Sequence, residues 1–279
     1  MNCLVEGKLK MKTIIVCVNY NSYEELDNYI QSIEQAVQKF GKGEVSVIVV
    51  DNSDPIKEYT HNGGVKVLQY KTKQNLGYFG GISYGIKESK ENLEDYDFII
   101  ISNVDLLMPE DFFEKLYAEQ YVSNIGCIAP SIISKSEGNN RNPKVLYRYS
   151  ATKLKVLRLL FKYPVLWYTY NKFLHRARRK KVESKKQENQ DIYAAHGSFM
   201  IFTNKAANFL ENMKFPTFMF CEELFVAENL LQKKLRTVYR PSICINDIDH
   251  VSTSKMKSKF YFNCNYESLD MILKEYYCE

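Results

Sequence analysis

The chain has 279 residues, 45% hydrophobic and 25% charged, with a formal charge of +5. This excludes a disordered chain and supplies enough apolar surface for one large core or two modest ones. The charge is uneven: between 151 and 190 twelve lysines and arginines stand against two glutamates, so this segment is +10 and the remainder −5, and a local basic patch implies an anionic surface as partner.

In chain order, "KTIIVCVNY" (12–20) is a β-branched run that stops at Asn19. "SYEELDNYIQSIEQAVQKFG" follows, with Ser22 as N-cap, Glu25 three residues on and Gly41 as stop, which predicts strand, turn and capped helix. "EVSVIVVDNSD" (44–54) predicts a second buried strand leaving on Asp51, and "VKVLQY" (65–70) a short third. "GYFGGISYGIKES" reads as a helix start whose glycines pack against something, "YDFIIISNVD" as a fourth strand, and Pro109 as the start of another helix. After "GCIAPSII" (126–133) the regularity lapses into polar "SKSEGNNRNP" and the basic segment. "DIYAAHGSFMIFTNKAANFLE" predicts a strand and a helix, and "FPTFMFCEELFVAENLLQKKL" an aromatic loop entering a helix. "RTVYRPSICIND" reads as a strand pair turning at Pro241, and the chain closes on an amphipathic helix. Continuous apolar strands alternating with amphipathic helices predict an α/β protein with a mostly parallel, Rossmann-like central sheet covered on both faces, binding ligands beyond the carboxyl ends of its strands. No repeat is visible, so one domain is expected over 1–279, with a basic, partly helical insertion at 135–190.

The seven cysteines form no CxxC pair, which points to a reducing cytosol without a zinc site or disulfide frame. The N-terminus lacks the apolar core of a signal peptide, and no stretch reaches the roughly 18 apolar residues of a spanning helix. Met11 is as good a start as Met1, which would make residues 1–10 dispensable.

The polar residues Asn19, Asp51, Asn103 and Asp105 fall at strand ends. In "SNVD", Asn103 and Asp105 stand at i and i+2 and point one way if strand geometry persists. One carboxylate suffices for Mg²⁺ or Mn²⁺ when substrate phosphates and waters complete the shell, although a loop aspartate turning toward Pro109 explains the tripeptide as well. Asp51 suits a nucleobase N–H or an Asx turn. Lys73, Asn75, Gly77, Gly80 and Gly81 in "KQNLGYFGG" allow a ribose or diphosphate close to backbone, a weak signal on its own. Glu222 and Glu223, side by side after a run of aromatics, suit a general base with a raised pKa, or a favourable helix N-terminus. His196 and Gly197 open a strand and suit a sugar or acceptor pocket. In "DIDHVSTSK", His250 suits a metal or phosphate, and Ser252, Ser254 and Lys255 suit phosphate oxygens.

Taken in order, "IIVCVNYNS", "VVDNSD", "NLGYFGGISYGI", "SNVD", "HGSFMIF", "FMFCEELFV" and a late histidine resemble the family 2 glycosyltransferases of the GT-A fold, most closely the rhamnosyltransferase-like members that build bacterial O-antigens and capsules. The resemblance implies that Asn103 and Asp105 are the DxD-like metal motif, with Val104 where this branch commonly has proline. It implies that Asp51 meets the base with Val18 and Asn19 beside it, that Glu223 is the catalytic base supported by Glu222, and that His250 lies at the metal or diphosphate. Two departures stand out: Ser83 where the glycine-rich motif often has Asn, and Phe225 where a further Asp often follows the acid pair.

The implied enzyme is an inverting, metal-dependent hexosyl- or deoxyhexosyltransferase using a UDP- or dTDP-sugar and a lipid-linked oligosaccharide acceptor. The basic segment fits that acceptor. Leu157, Leu160 and Phe161 recur beside Lys155, Arg158 and Lys162, and Leu166, Tyr170, Phe173 and Leu174 lie opposite Lys172, Arg176 and Arg179. Such helices suit the interface of an anionic membrane, each cation contributing about 1 kcal/mol, or pack on the domain or a second subunit, which keeps a homodimer open. The expected location is cytoplasmic, peripheral at the inner face of the plasma membrane. A sugar-nucleotidyltransferase is disfavoured because "VNYNSYEE" after the first strand is acidic and glycine-free. Nucleic-acid binding lacks a recognisable module. A non-catalytic nucleotide-sugar or lipid-surface binding protein on the same fold is the alternative.

Overall fold

The computed structural model describes residues 11–178, 188–248 and 258–277, with backbone alone over 173–178. Residues 1–10, His250, Ser252, Ser254, Lys255 and the basic run at 179–187 therefore lie outside the described residues.

The elements follow as β1 (Met11–Asn19), α1 (Tyr23–Phe40), β2 (Gly43–Asp51), β3 (Lys66–Lys71), α2 (Tyr78–Ser89), β4 (Phe98–Ser102), β5 (Leu106–Leu107), α3 (Phe112–Ala118) and β6 (Ile125–Ser134). The second half adds α4 (Ala151–Lys162), α5 (Pro164–Arg178), β7 (Gln190–Ile192), β8 (Phe199–Thr203), α6 (Ala207–Glu211), α7 (Glu222–Gln232), β9 (Arg236–Asp247) and α8 (Ser258–Tyr276). All nine strands join one sheet in the order β3-β2-β1-β4-β8-β6-β9-β5, with β7 also pairing β9. The first four strands are parallel, as their continuous apolar runs predict. The second half is mixed: β8 runs antiparallel to both β4 and β6, while β6 and β9 run parallel.

One core forms on each face of the sheet. Alternate residues of β1 divide between them, Ile14 and Val16 packing with α2, Ile15 and Cys17 with α1 and α3. Helix α2 reaches unusually close to the sheet because a Cβ on Gly85 would lie 2.4 Å from Val50 Cγ2, and one on Gly81 3.1 Å from Val18 Cγ2. Gly85 thus packs on the sheet as the helix reading expects, whereas Gly81, read as leaving room for a ligand, faces β1.

Four local expectations are corrected. Ser22 occupies the N-cap of α1 without bonding the helix, and its backbone N–H is held instead by Asn19 Oδ1 (3.1 Å). Strand geometry stops at Ser102, so Asn103 and Asp105 project from a bend, although Val104 between them is buried. Pro241 turns no hairpin: β9 is one strand, and its register against β6 slips between Arg240 and Cys244, a bulge that accommodates a residue without an N–H. The apolar face predicted for α4 is in part already covered. Leu154, Leu160 and Phe161 are buried, with Phe161 stacked on Trp167 (4.3 Å between centroids) and edge-on to Tyr261 of α8. A different set stands exposed: Val156, Leu159, Tyr163, Val165, Leu166 and Tyr168.

Candidate active site

The carboxyl ends of β1, β2 and β4 lie side by side because the strands pair in register, Asn19 with Asp51 and Cys17 with Ser102. Asp51 is fully buried, and its carboxylate accepts four bonds: from Asn19 Nδ2 (3.3 Å) and Ser53 N (3.1 Å) on Oδ1, and from the Tyr23 hydroxyl and Gln69 Nε2 (both 2.8 Å) on Oδ2. A carboxylate offers about four acceptor positions, so an incoming nucleobase N–H would displace one of these donors. Asn19 is likewise buried, shared between Asp51, Ser53 and Ser22. Val18 packs beneath Gly81.

The loop before α2 is pinned by backbone contacts. Gly77 donates to Asn75 Oδ1 (2.8 Å), and its carbonyl accepts from Asn52 Nδ2 (2.9 Å). Its φ of +74° suits glycine, and a Cβ there would lie 2.0 Å from the Phe218 carbonyl oxygen. The close approach at Gly77 is therefore to the loop that precedes α7. Lys73 is exposed on the same loop.

Helix α7 brings the two glutamates to this edge. It is entered through Phe220 (φ 73°) and Cys221 (φ 63°), two consecutive left-handed residues with side chains, a conformation that costs on the order of 1–3 kcal/mol each and tends to mark functional sites. Glu222 Oε1 accepts from Phe220 N (2.9 Å). Burial, then the charge of Glu223, pushes the Glu222 carboxyl up to about 8. Burial also pushes Glu223 upward, but Lys144, His196 and the backbone N–H groups of Glu223 and Gly197 outweigh it and leave its pKa lowered. Lys144 Nζ stands 3.6 Å from Glu223 Oε1, and a Cβ on Gly197 would come within 3.5 Å of the same oxygen. The two carboxyls are thus pushed in opposite directions, Glu222 holding its proton the more tightly and Glu223 releasing its own the more readily.

The two ends of the site are joined. Asn103 N donates to the Ser198 carbonyl (2.9 Å), tying the exit of β4 to the entry of β8, where His196 and Gly197 meet Glu223. The charges of Glu222 and Asp105 are both felt at the Tyr78 hydroxyl. His196 Nδ1 shares a hydrogen bond with Ser198 Oγ (2.9 Å), and its backbone N–H donates to Asn142 Oδ1 (2.8 Å). Lys144, Asn142 and Tyr78 were not expected from the sequence. The first two lie in the stretch read as an insertion, yet Asn142 is buried, donating to the Pro130 carbonyl (2.9 Å), and Asn140 bonds Ser131 Oγ (3.0 Å) and the Tyr239 hydroxyl (2.8 Å).

Both departures from the family pattern have packing explanations. Ser83 Oγ donates to the Met213 carbonyl (2.8 Å). Phe225 is buried among Phe79, Phe209, Phe215 and Tyr276. A separate cleft of about 280 Å³, lined by Asp97, Tyr117, Tyr121 and Lys205 among others, opens at the opposite end of β4 and contains none of the expected site residues.

Asp105 and Asn103 offer hard oxygen donors of the kind Mg²⁺ or Mn²⁺ takes. Among the described residues no group of three His, Cys, Asp or Glu could hold an ion by itself, so a cation here would need ligand oxygens to complete its shell.

The family model for glycosyl transferase family 2 matches residues 13–209, a span that includes the β1, β2 and β4 exits and His196 but stops before Glu222. No curated protein matches. Among solved structures, GalNAc-T7 with UDP, GalNAc and Mn²⁺ superposes with a TM-score of 0.58 at 12% identity, over 95% of this chain and 48% of that one. TarS 1–349 of S. aureus gives 0.53 at 8% identity, over 94% and 72%, and a longer TarS chain 0.53 at 13%, over 96% and 43%. This chain therefore spans about half the length of the GalNAc-T7 chain. At these identities the likeness concerns the fold alone, a mixed α/β sheet flanked by helices of the GT-A type. With the family model covering most of its length, the chain belongs to glycosyl transferase family 2.

Proposed function

We propose that the chain is an inverting glycosyltransferase that moves a hexosyl or deoxyhexosyl group from a UDP- or dTDP-sugar to a hydroxyl of a lipid-linked glycan, in the manner of the rhamnosyltransferase-like enzymes of bacterial surface polysaccharide synthesis. The observation that carries this reading is the placing of the partly buried acid pair at the head of α7, with Lys144 Nζ 3.6 Å from Glu223 Oε1 and Gly197 packed against the same oxygen. The acceptor oxygen attacks the anomeric carbon on the face opposite the diphosphate. The new carbon–oxygen bond forms as the bond to phosphate breaks, the bonding pair leaves on the diphosphate, and the acceptor proton passes to Glu223. Glu222, whose carboxyl is pushed upward by burial and by Glu223, limits the negative charge beside that base. Asp105 and Asn103 would hold the divalent ion, with His250 a further candidate outside the described residues. When bound, such an ion neutralises charge on the leaving diphosphate.

Glu223→Gln tests the assignment. Transfer should fall by roughly 10²–10⁴-fold while donor affinity stays within about twofold, because the base acts mainly in the transition state. Undiminished transfer refutes the role.

The lipid-linked acceptor is supported by α4 and α5, where exposed Val156, Leu159, Tyr163, Val165, Leu166 and Tyr168 lie among Lys155, Lys162 and Lys172. This face suits the interface of an anionic membrane, and among the described residues no helix is long and apolar enough to cross one. Flotation with anionic vesicles at low salt should carry the protein upward, and absence of binding there rejects the membrane contact.

A further inference from the structure

The other tyrosines around the site have partners: Tyr23 donates to Asp51 (2.8 Å) and Tyr29 to Ser102 Oγ (2.8 Å). Tyr78, the first residue of α2, is the exception. Its hydroxyl is closed off from solvent and makes no hydrogen bond among the described residues. Buried hydroxyls are rarely left so, and one that is calls for a group that arrives from outside.

The surroundings say what that group is. Tyr78 lies within the electrostatic reach of Glu222 and Asp105, near both the acid pair and the exit of β4. The ring cannot readily swing away to find an internal acceptor. Its backbone neighbour Gly77 is fixed by Asn52, by Asn75 and by contact with the Phe218 carbonyl, and the ring itself leans on Phe79 at 5.4 Å. No side chain caps α2 and no acidic residue occupies its first turn, so no carboxylate of that turn offsets the positive end of the helix dipole.

We propose that Tyr78 is a donor-binding residue whose hydroxyl hydrogen-bonds an oxygen at the sugar–diphosphate end of the nucleotide sugar, near Asp105 and Glu222. This rests on the reading above that the site takes a nucleotide sugar. Burial and the nearby acids hold the phenol in its protonated form, so it acts as a donor. The bond is made when the ligand enters, which explains why the free chain tolerates an orphaned hydroxyl at a rigid position.

Tyr78→Phe removes the oxygen and keeps the ring. Calorimetric titration with UDP, and with a panel of UDP-, dTDP- and GDP-sugars, all with Mn²⁺, should show affinity weaker by about tenfold or more for whichever ligand makes the contact. The unliganded variant should melt no lower than the wild type. A loss already present with UDP assigns a phosphate oxygen, and a loss confined to intact sugar nucleotides assigns a sugar hydroxyl. Unchanged affinity throughout overturns the role of Tyr78 and leaves the proposed function standing. A lower melting temperature of the unliganded variant reveals an internal partner and also overturns it. If the wild type binds none of the panel, the functional reading falls and the Tyr78 assignment with it.

Discussion

Arg148→Met tests whether a buried ion pair ties α7 to the rest of the chain. Arg148 donates through Nε to Glu228 Oε1 (2.7 Å) and through Nη2 to Oε2 (2.9 Å), a bidentate pair on a side chain only 4% exposed at Glu228. Tyr193 adds a third donor to the same carboxylate (2.6 Å), and the guanidinium lies 4.3 Å over the Tyr277 ring while donating to the Tyr276 carbonyl (3.3 Å). Four segments distant in sequence thus meet at one charge. Removing one partner of a fully buried pair costs about 3–5 kcal/mol, but Arg148 is 46% exposed, so water can reach part of the vacated space. We expect about 2–3 kcal/mol, equivalent to a fall in Tm of roughly 5–10 °C for a chain of this size. Urea unfolding of wild type, Arg148→Met, Glu228→Gln and the double variant provides the assay, with a coupling above about 1 kcal/mol expected. A single variant within about 0.5 kcal/mol of wild type, or strictly additive losses, would refute the reasoning.

Gly85→Ala should destabilise by about 1–3 kcal/mol, since the new methyl would meet Val50 Cγ2 at 2.4 Å and Ile48 Cγ2 at 3.2 Å across a packed helix–sheet contact; a wild-type melting curve contradicts this. Glu222 predicts a pH dependence. The folded chain keeps a proton there that the unfolded chain has released, so stability drops as pH climbs from the ordinary carboxylate range toward about 8, and urea midpoints at several pH values should flatten in Glu222→Gln. Glu223 runs the other way: its lowered pKa contributes stability above the ordinary carboxylate range that is lost on acidification. Lys144→Gln removes one of the charges holding Glu223 ionised, so the acid limb of the pH–rate profile should move to higher pH; an unmoved limb shows that Lys144 does not act on the base.

Much of the first half was legible in the sequence. A buried parallel strand must be apolar on both faces, so Asn19, Asp51 and the residues after Ser102 mark the places where "IIVCV", "VIVV" and "FIII" emerge from the core. The second half was less so, for identifiable reasons. "FMIF" is buried on both faces whichever way it runs, and nothing local records that β8 enters antiparallel between β4 and β6. Pro241 looks like a turn because the missing N–H matters, and only the register against β6 reveals that a bulge absorbs it. Helical spacing identifies an apolar face on α4 without saying that α8 covers part of it. Asn140, Asn142 and Lys144 read as part of an insertion because their partners, Tyr239, His196 and Glu223, lie 54 to 99 positions away in the first two cases and far along the chain in the third.

The bond from Asn103 to the Ser198 carbonyl gives the β4 exit and the approach to β8 a common footing. Grafting a foreign segment over 188–198 would therefore disturb the exit of β4, where Asn103 and Asp105 stand, as well as His196 and Gly197 themselves.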